Sequence, residues 1–185
     1  MTTGTSDPAA PVPMADRVEI AERAFDEPDA SRLLRAFYDE QVGRYGFAET
    51  IDVDPAGYAA PNGVFAVMYY CGVPVGCGGY RWYDRAAGTI EVKKTYLVPA
   101  VRGRGAGRAL LSWLERHAAA DGARRVILET GVRNTAALGL FTSVGYRPTQ
   151  RYVEGRDPAI NRAFVKSLTE PAQPPAWDVP HAIAR

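Results

Sequence analysis

The segment from residue 89 to residue 118 constrains the fold of this chain most strongly. Residues 89–98 are rich in β-branched and aromatic side chains, which predicts a strand, and Pro99 ends that pattern. A glycine-rich run follows, and apolar residues then recur at helical spacing from Ala106 to Ala118. Glycines let the backbone approach a ligand closely, and a helix start presents unpaired N–H groups and partial positive charge. The sequence therefore predicts a strand, a glycine loop and a helix that bind an anion.

Two nucleotide-binding motifs share this arrangement, and neither fits. A P-loop requires G-x-x-x-x-G-K-[ST], but no Lys-Ser or Lys-Thr pair follows these glycines. A dinucleotide fingerprint requires G-x-G-x-x-G, whereas Leu110 stands where the third glycine would follow Gly105 and Gly107. From the residues alone, an arginine-rich loop that only caps a helix stays open as an alternative.

Two segments of the chain resemble the GNAT superfamily of N-acetyltransferases. Residues 102–107 carry the R-x-x-G-x-G pattern of the acetyl-CoA signature of that superfamily, preceded by Val98 and Pro99. Residues 134–146 resemble its N-x-x-A-x-x-L-Y-x-x-x-G-[FY] segment, with Phe141 in place of the tyrosine. The resemblance covers roughly residues 17 to 168. It implies an α/β (α+β) fold with a mixed, mostly antiparallel sheet of about seven strands, helices on both faces and splayed central strands.

The resemblance also implies an activity and a set of cofactor contacts. An acetyl group would pass from acetyl-CoA to a primary amine by direct attack. The backbone at the end of the strand, namely Tyr96, Leu97 and Val98, would pair with the pantetheine arm and help to polarise the thioester carbonyl. Asn134 would cap its helix and also contact the cofactor, and Phe141 would pack beside the pantetheine. The expected pyrophosphate contacts are Arg102, Gly103, Arg104, Gly105, Ala106, Gly107 and Arg108.

Glu91 is the candidate general base. An alkylamine has a pKa of ~10.4, so presenting it as the neutral nucleophile near pH 7 costs about 4.6 kcal/mol. Glu91 lies on the strand eleven residues before Arg102, and it is the only carboxylate between Asp84 and Glu115. In a subset of GNAT enzymes a glutamate at this spacing accepts the amine proton. The alternative is that Glu91 only pairs with Lys93 or with a neighbouring strand.

Phe141 leaves open which group protonates the leaving thiolate, because phenylalanine has no proton to donate. A thiol pKa of ~8.5 means that solvent can supply this proton, and Tyr96, Tyr146 and Tyr152 are further candidates. The same departure keeps a second function open, namely a CoA-binding regulatory or partner-binding domain of the same fold with little or no catalysis. A protein that binds an unrelated phosphate ligand is the third hypothesis.

The charge pattern along the chain agrees with a phosphate-bearing ligand. Residues 1–60 contain five Arg against twelve Asp or Glu, whereas residues 93–133 contain nine Lys or Arg against three Asp or Glu. The basic arginines cluster at the glycine loop, which disfavours a nucleic-acid surface. Acidic residues nearer the start could attract a cationic acceptor, either a small molecule or a protein amine; the candidates are Glu40, Glu49, Asp52 and Asp54. Aromatic residues of the predicted hairpin, such as Tyr80 and Trp82, are also expected to face the acceptor cleft in part.

The chain is expected to form one acetyltransferase domain at residues 16–169, between a disordered segment at 1–15 and a proline-rich tail at 170–185. Charges interrupt every apolar run before membrane-spanning length, and the first residues lack the pattern of a signal peptide, so we expect no membrane partner and a cytoplasmic location. Two cysteines and two histidines predict neither a disulfide framework nor a metal site. Exposed strand edges leave a homodimer open.

The remaining pattern predicts a strand, then a helix capped by Asp29, a helical turn, a hairpin around Cys71 and Gly72, and a strand–helix–strand–strand ending. The expected ranges are 17–25, 54–60, 64–70, 73–83, 125–130, 134–144, 147–152 and 162–168.

Overall fold

The computed structural model of the chain describes residues 18–48, 54–155 and 157–168. Within these residues there are seven strands and three α-helices, joined in places by short 3₁₀ turns. The strands are β1 Val18–Glu22, β2 Gly63–Tyr70, β3 Val73–Asp84, β4 Thr89–Leu97, β5 Arg125–Gly131, β6 Arg147–Thr149 and β7 Asn161–Ser167. The helices are α1 Pro28–Tyr45, α2 Ala106–Ala120 and α3 Thr135–Ser143. None of the described helices has both the length and the apolar character needed to cross a membrane.

All seven strands form one sheet in the order β1-β2-β3-β4-β5-β7-β6. Every neighbouring pair is antiparallel except β4 and β5, which run parallel. The connection between those two strands contains α2, as a parallel crossover requires. The mixed, mostly antiparallel seven-stranded sheet expected from the resemblance is confirmed.

The hydrophobic core is split by the sheet into two clusters. Val64, Ala66 and Met68 of β2 pack on the face that carries α2 and α3, and Phe65 and Val67 pack on the face that carries α1. This alternation follows from the two-residue repeat of a strand, and it explains why β2 is apolar almost throughout. Helices therefore cover both faces of the sheet, as expected.

The two central strands diverge after a short paired stretch. Strand β4 pairs with β5 only from Thr89 to Glu91. Beyond that point the register of β4 against β3 shifts, and Lys94 takes a left-handed conformation with φ of 58°. An extra residue of this kind bends the strand that contains it. The second half of β4 thus has no strand beside it on the β5 side, which is the expected splay.

Three local predictions are wrong. The first strand was expected to reach residue 25, but β1 ends at Glu22. Asp29 does not cap α1, because the helix already begins at Pro28, whose fixed φ suits the first turn; Asp29 instead accepts a hydrogen bond from the Tyr69 hydroxyl. Strand β6 was expected to reach residue 152 but ends at Thr149, and Tyr152 leaves the sheet to contact Glu91. The expected terminal segments 1–15 and 170–185, and residues Glu49 and Asp52, lie outside the described residues.

Candidate active site

A cavity of about 540 Å³ lies where β4 and β5 diverge. It is lined by α1, β4, the glycine loop, α2, β5 and α3. Ten of the thirteen residues proposed from the sequence line it: Glu91, Tyr96, Leu97, Arg102, Gly103, Gly105, Gly107, Arg108, Asn134 and Phe141. The other three lie beside it, since Val98 and Ala106 pack against the core and Arg104 is exposed.

The glycine loop places the uncapped N-terminus of α2 at the cavity. Gly103 and Gly105 both have left-handed φ values, 73° and 84°, which glycine adopts without strain. Gly105 is the N-cap of α2, and no side chain hydrogen bond caps that end of the helix. A Cβ on Gly107 would lie 2.8 Å from Leu140 Cδ2, so this glycine lets α2 approach α3 closely. The first amides of α2 are therefore placed as an anion site.

Arg102 ties the glycine loop to two other elements. Its Nε donates to the Leu97 carbonyl at 2.8 Å, and its Nη2 donates to Glu40 Oε2 on α1. The guanidinium also lies 5.5 Å from the centre of the Tyr96 ring. Arg44 donates to the second oxygen of Glu40. Glu40, expected as a possible attractant for a cationic acceptor, is thus engaged on both oxygens.

Glu91 lies at the point where the strands separate, and its side chain is only 2 % exposed. Its neighbours Ile90 and Val92 face α2, so Glu91 faces α1. Arg81 donates to Oε2 from Nε at 3.0 Å and from Nη2 at 2.9 Å. The Tyr152 hydroxyl donates to Oε1 at 3.1 Å, and Lys93 Nζ lies 3.4 Å from the same oxygen. The anticipated contact with Lys93 and the neighbouring strand therefore coexists with a place in the cavity wall.

Tyr83 holds Tyr152 against Glu91. The Tyr83 hydroxyl donates to the Tyr152 carbonyl at 3.4 Å, and the two rings meet edge to face at 5.3 Å. Burial, followed by the nearby carboxylates of Glu91 and Glu129, raises the pKa of Tyr152 well above its usual range. Tyr152 therefore remains a protonated hydroxyl, and hence a donor to Glu91, throughout neutral and mildly alkaline pH.

Of the three tyrosines considered as proton donors to the thiolate, only Tyr96 lines the cavity. Burial is the main cause that raises the Tyr96 pKa. Tyr146 is buried in the core against Phe141, with ring centres 5.7 Å apart. Phe141 is 4 % exposed and lies between that core and the cavity.

Asn134 caps α3, as expected, and it also lies in the cavity wall. Its side chain accepts a hydrogen bond from the Ala137 amide at 3.4 Å. Arg108 of α2, which also lines the cavity, donates to Ser143 of α3 at 3.3 Å and so helps to hold the two helices together. In the part of the chain that the structure describes, His, Cys, Asp and Glu side chains form no group of three that could hold a metal ion.

Sequence reasoning missed most of the α1 side of the cavity. The aromatic residues there are Phe37, Tyr45 and Phe47, whereas the hairpin aromatics proposed from the sequence do not line it. Tyr80, for example, is fully buried and donates to Asp121. Glu129 on β5 lines the cavity together with Glu40 and Glu91, and no sequence pattern singled it out. The pairing of Arg81 with Glu91, by contrast, follows from opposite charges on adjacent strands of one hairpin.

Comparison with known proteins adds a family match. Residues 19–146 match the model of the acetyltransferase (GNAT) family. An IAA acetyltransferase from Azospirillum brasilense is 36% identical over 88 residues, which are 48% of this chain and 57% of that protein. A mycothiol acetyltransferase from Gordonia bronchialis is 28% identical over 151 residues, 77% of this chain and 48% of the relative. The matched part of the chain thus spans about half the length of these relatives.

Solved structures show the same fold. A GNAT-family acetyltransferase from Staphylococcus aureus superposes with a TM-score of 0.69 at 17% identity, over 82% of this chain and 99% of that one. A GNAT-family acetyltransferase from Elizabethkingia anophelis, solved with acetyl-CoA bound, has a TM-score of 0.60 at 19% identity, over 82% and 99% of the two chains.

Proposed function

Because the chain belongs to the GNAT family of acetyltransferases, we propose that it is an acetyl-CoA-dependent N-acetyltransferase that acetylates a primary amine by direct attack. One observation carries the proposal. The unpaired edge of β4, the open start of α2 and the Glu91 carboxylate all meet in a single cavity. An exposed strand edge can pair with an amide-containing chain such as pantetheine, and a helix start can bind its pyrophosphate.

The donor side of the cavity would hold acetyl-CoA through backbone groups more than through side chains. The edge of β4 near Tyr96 and Leu97 would pair with the pantetheine amides. The loop at Gly103 and Gly105 would bind the pyrophosphate. Arg102 would act indirectly. Its guanidinium already binds the Leu97 carbonyl and Glu40, and so it fixes the loop relative to β4 and α1.

The chemical step forms an N–C bond between the amine and the acetyl carbon while the C–S bond to CoA breaks. Glu91 receives the proton that the amine loses. Both of its oxygens already have partners, so a water molecule between the amine and Oε1 is the expected path. The leaving thiolate has a pKa of only ~8.5 and takes its proton from solvent or from the Tyr96 hydroxyl, since Phe141 has none to give.

Binding and turnover test this function separately. Calorimetric titration should give tight binding of acetyl-CoA and no comparable binding of ATP or NAD. Release of CoA thiol with a panel of amines should then show turnover. Binding of acetyl-CoA without turnover of any amine would support the alternative of a CoA-binding regulatory domain. Equal binding of all three nucleotides would contradict the donor assignment.

The role of Glu91 has its own test, with Glu129 as the matched cavity carboxylate. Glu91→Gln keeps the shape of the side chain and should lower kcat/KM about 10²- to 10⁴-fold near pH 7, with the loss shrinking at high pH where the amine is already neutral. Glu129→Gln should keep the acid limb of the pH profile, which is the fall in kcat/KM as the pH is lowered. If Glu129→Gln removes that limb and Glu91→Gln does not, the base is Glu129 and the assignment is wrong.

A further inference from the structure

We propose that the acceptor is a small apolar monoamine, such as an arylalkylamine, and not a polyamine, an amino acid or a protein amine. This inference rests on the proposed acetyltransferase function and concerns only the acceptor half of the cavity. We define that half as the space between the end of α1, from Phe37 to Phe47, and the diverging strands β4 and β5. Three independent observations support it.

The first observation is that Glu91, Glu40 and Lys94, which line this half, all have partners among the described residues. Glu91 is paired with Arg81 and Lys93, and Glu40 with Arg44 and Arg102. Lys94 is 4 % exposed, with its ammonium 5.0 Å from the ring centre of Tyr38 and 5.8 Å from that of Phe37. Glu129 also has an interaction partner, and its two buried carboxylate oxygens accept no hydrogen bond within the described residues.

This pairing works against an acceptor that carries a second charge. A second ammonium or a carboxylate would lose hydration on entering the cavity, and it would gain a counter-charge from Glu91 or Glu40, or from their cationic partners, only by breaking an existing pair. Polyamines, aminoglycosides and free amino acids all carry such a group. A monoamine carries none once its nitrogen has been deprotonated for attack.

The second observation is an aromatic wall at the end of α1. Tyr45 and Phe47 lie with ring centres 6.2 Å apart, and Phe37 lines the same side of the cavity. Phe47 is 53 % exposed. A large apolar group with this much exposure, in the wall of a cavity that also contains the Glu91 carboxylate, favours an apolar substituent on the acceptor.

The third observation is that α1 is fastened across the open side of the cavity. The Tyr45 hydroxyl lies against Gly131 of β5, where an added Cβ would overlap it. Arg133, just beyond β5, donates to the Arg44 carbonyl at 3.0 Å, and its guanidinium lies 6.0 Å from the Tyr45 ring centre. Since Arg102 holds α1 to the β4 side, the helix is attached on both sides of the cavity, which suits a small molecule better than a polypeptide segment.

Initial rates of CoA-thiol release at saturating acetyl-CoA test the inference, with each rate corrected for the neutral fraction of the amine. The panel is 2-phenylethylamine, propylamine, putrescine, phenylalanine and a lysine-containing peptide. We expect kcat/KM for 2-phenylethylamine to exceed that for propylamine, phenylalanine and putrescine by about tenfold or more. Phenylalanine is the sharpest comparison, because it differs only by its carboxylate. A preference for putrescine, phenylalanine or the peptide would overturn the inference.

Two variants test whether Phe47 is responsible for the preference for 2-phenylethylamine. Phe47→Ala should lower kcat/KM about fivefold for 2-phenylethylamine and leave that for propylamine nearly unchanged. Val73→Ala, which also shortens an exposed apolar side chain but lies outside the cavity, should change neither. Equal losses for both amines in Phe47→Ala would contradict an aromatic subsite. If acetyl-CoA binds and no amine is turned over, the proposed function itself fails; if amines are turned over without this preference, only the inference fails.

Discussion

Glu91 combines near-complete burial with a place in the cavity wall, and its partners explain how a buried carboxylate is kept there. Arg81 occupies one oxygen with two donors, while the Tyr152 hydroxyl and the Lys93 ammonium share the other. A buried charge is tolerated only when it is paired and hydrogen-bonded, and this one is both. Oε1 has the looser contacts, a hydroxyl at 3.1 Å and an ammonium at 3.4 Å, so the proposed proton transfer is assigned to this oxygen.

Tyr152→Phe tests that view of the carboxylate. The variant removes the hydroxyl that donates to Oε1 and leaves the Arg81 contacts with Oε2 in place, so kcat/KM near pH 7 should fall several-fold. Tyr83→Phe removes the hydrogen bond to the Tyr152 carbonyl and leaves every contact of Glu91 in place, so it should keep the wild-type kcat/KM. Equal values of kcat/KM in wild type and Tyr152→Phe would show that Tyr152 only braces the loop.

Gly131 is the residue at which α1 meets β5, and it tolerates no side chain there. A Cβ would overlap the Tyr45 hydroxyl, so Gly131→Ala should displace the end of α1, lower the free energy of unfolding by about 1–3 kcal/mol and raise KM for the amine. Gly43→Ala is the control, because nothing lies within 4 Å of its added Cβ and alanine favours a helix interior. Thermal melts that show equal effects for the two variants would contradict the contact.

At the scale of elements, the sequence is most informative where structure is local. The strand, glycine loop and helix from residue 89 to residue 120 were predicted almost to their ends, because the signals of propensity, breaker and periodicity agree there. The contact between Tyr152 and Glu91 joins residues 61 positions apart, and that between Arg102 and Glu40 joins residues 62 apart. No local pattern specifies such pairs, so the acceptor side of the cavity could not be derived.

The two-residue turn of the β2–β3 hairpin contains a residue that does not suit its backbone conformation. Cys71 and Gly72 both have left-handed φ values, 50° and 76°, and Tyr70 pairs with Val73 across the turn. Two-residue turns of this type favour Asn-Gly, because asparagine enters the left-handed region more easily than cysteine. Cys71→Asn should raise the free energy of unfolding by about 0.5–1 kcal/mol, measured by urea denaturation, with no change in activity.

Cys71→Ser is the matched control for that variant. It removes the exposed thiol without supplying a residue suited to the turn, so it should give little or no gain in stability. An equal gain from serine and asparagine would mean that loss of the thiol, and not turn geometry, is responsible.

At the scale of the whole molecule, the cavity depends on a sheet that is continuous at one end and split at the other. Tightly packed clusters on both faces hold the paired end, and α1 joins the two separated strands at the open end. The cluster on the α1 face includes Cys77, which is fully buried beside the Lys94 carbonyl at the bend of β4. A group buried at this position reports on the integrity of the split sheet.

Stability should therefore fall at alkaline pH, with Cys77 responsible for the first part of the fall. Burial raises the pKa of the Cys77 thiol and also those of the Tyr80 and Tyr146 hydroxyls. In the unfolded chain the thiol ionises near ~8.5 and the tyrosines near ~10, so above each value the unfolded state releases a proton that the folded state keeps. Stability is full below pH ~8.5 and then declines, approaching ~1.4 kcal/mol per pH unit for each group.

Urea denaturation from pH 7.5 to pH 10.5 under reducing conditions measures this decline. Cys77→Ala leaves a cavity and so lowers the free energy of unfolding at every pH. The comparison is therefore made on the change in the free energy of unfolding of each protein relative to its own value at pH 7.5. The variant should stay level to about pH 9.5 and fall only as the tyrosines of the unfolded chain ionise. If the wild type and Cys77→Ala decline in parallel from pH 8.5, the thiol is not shielded, and the α1 face of the split sheet is more open to water than its packing indicates.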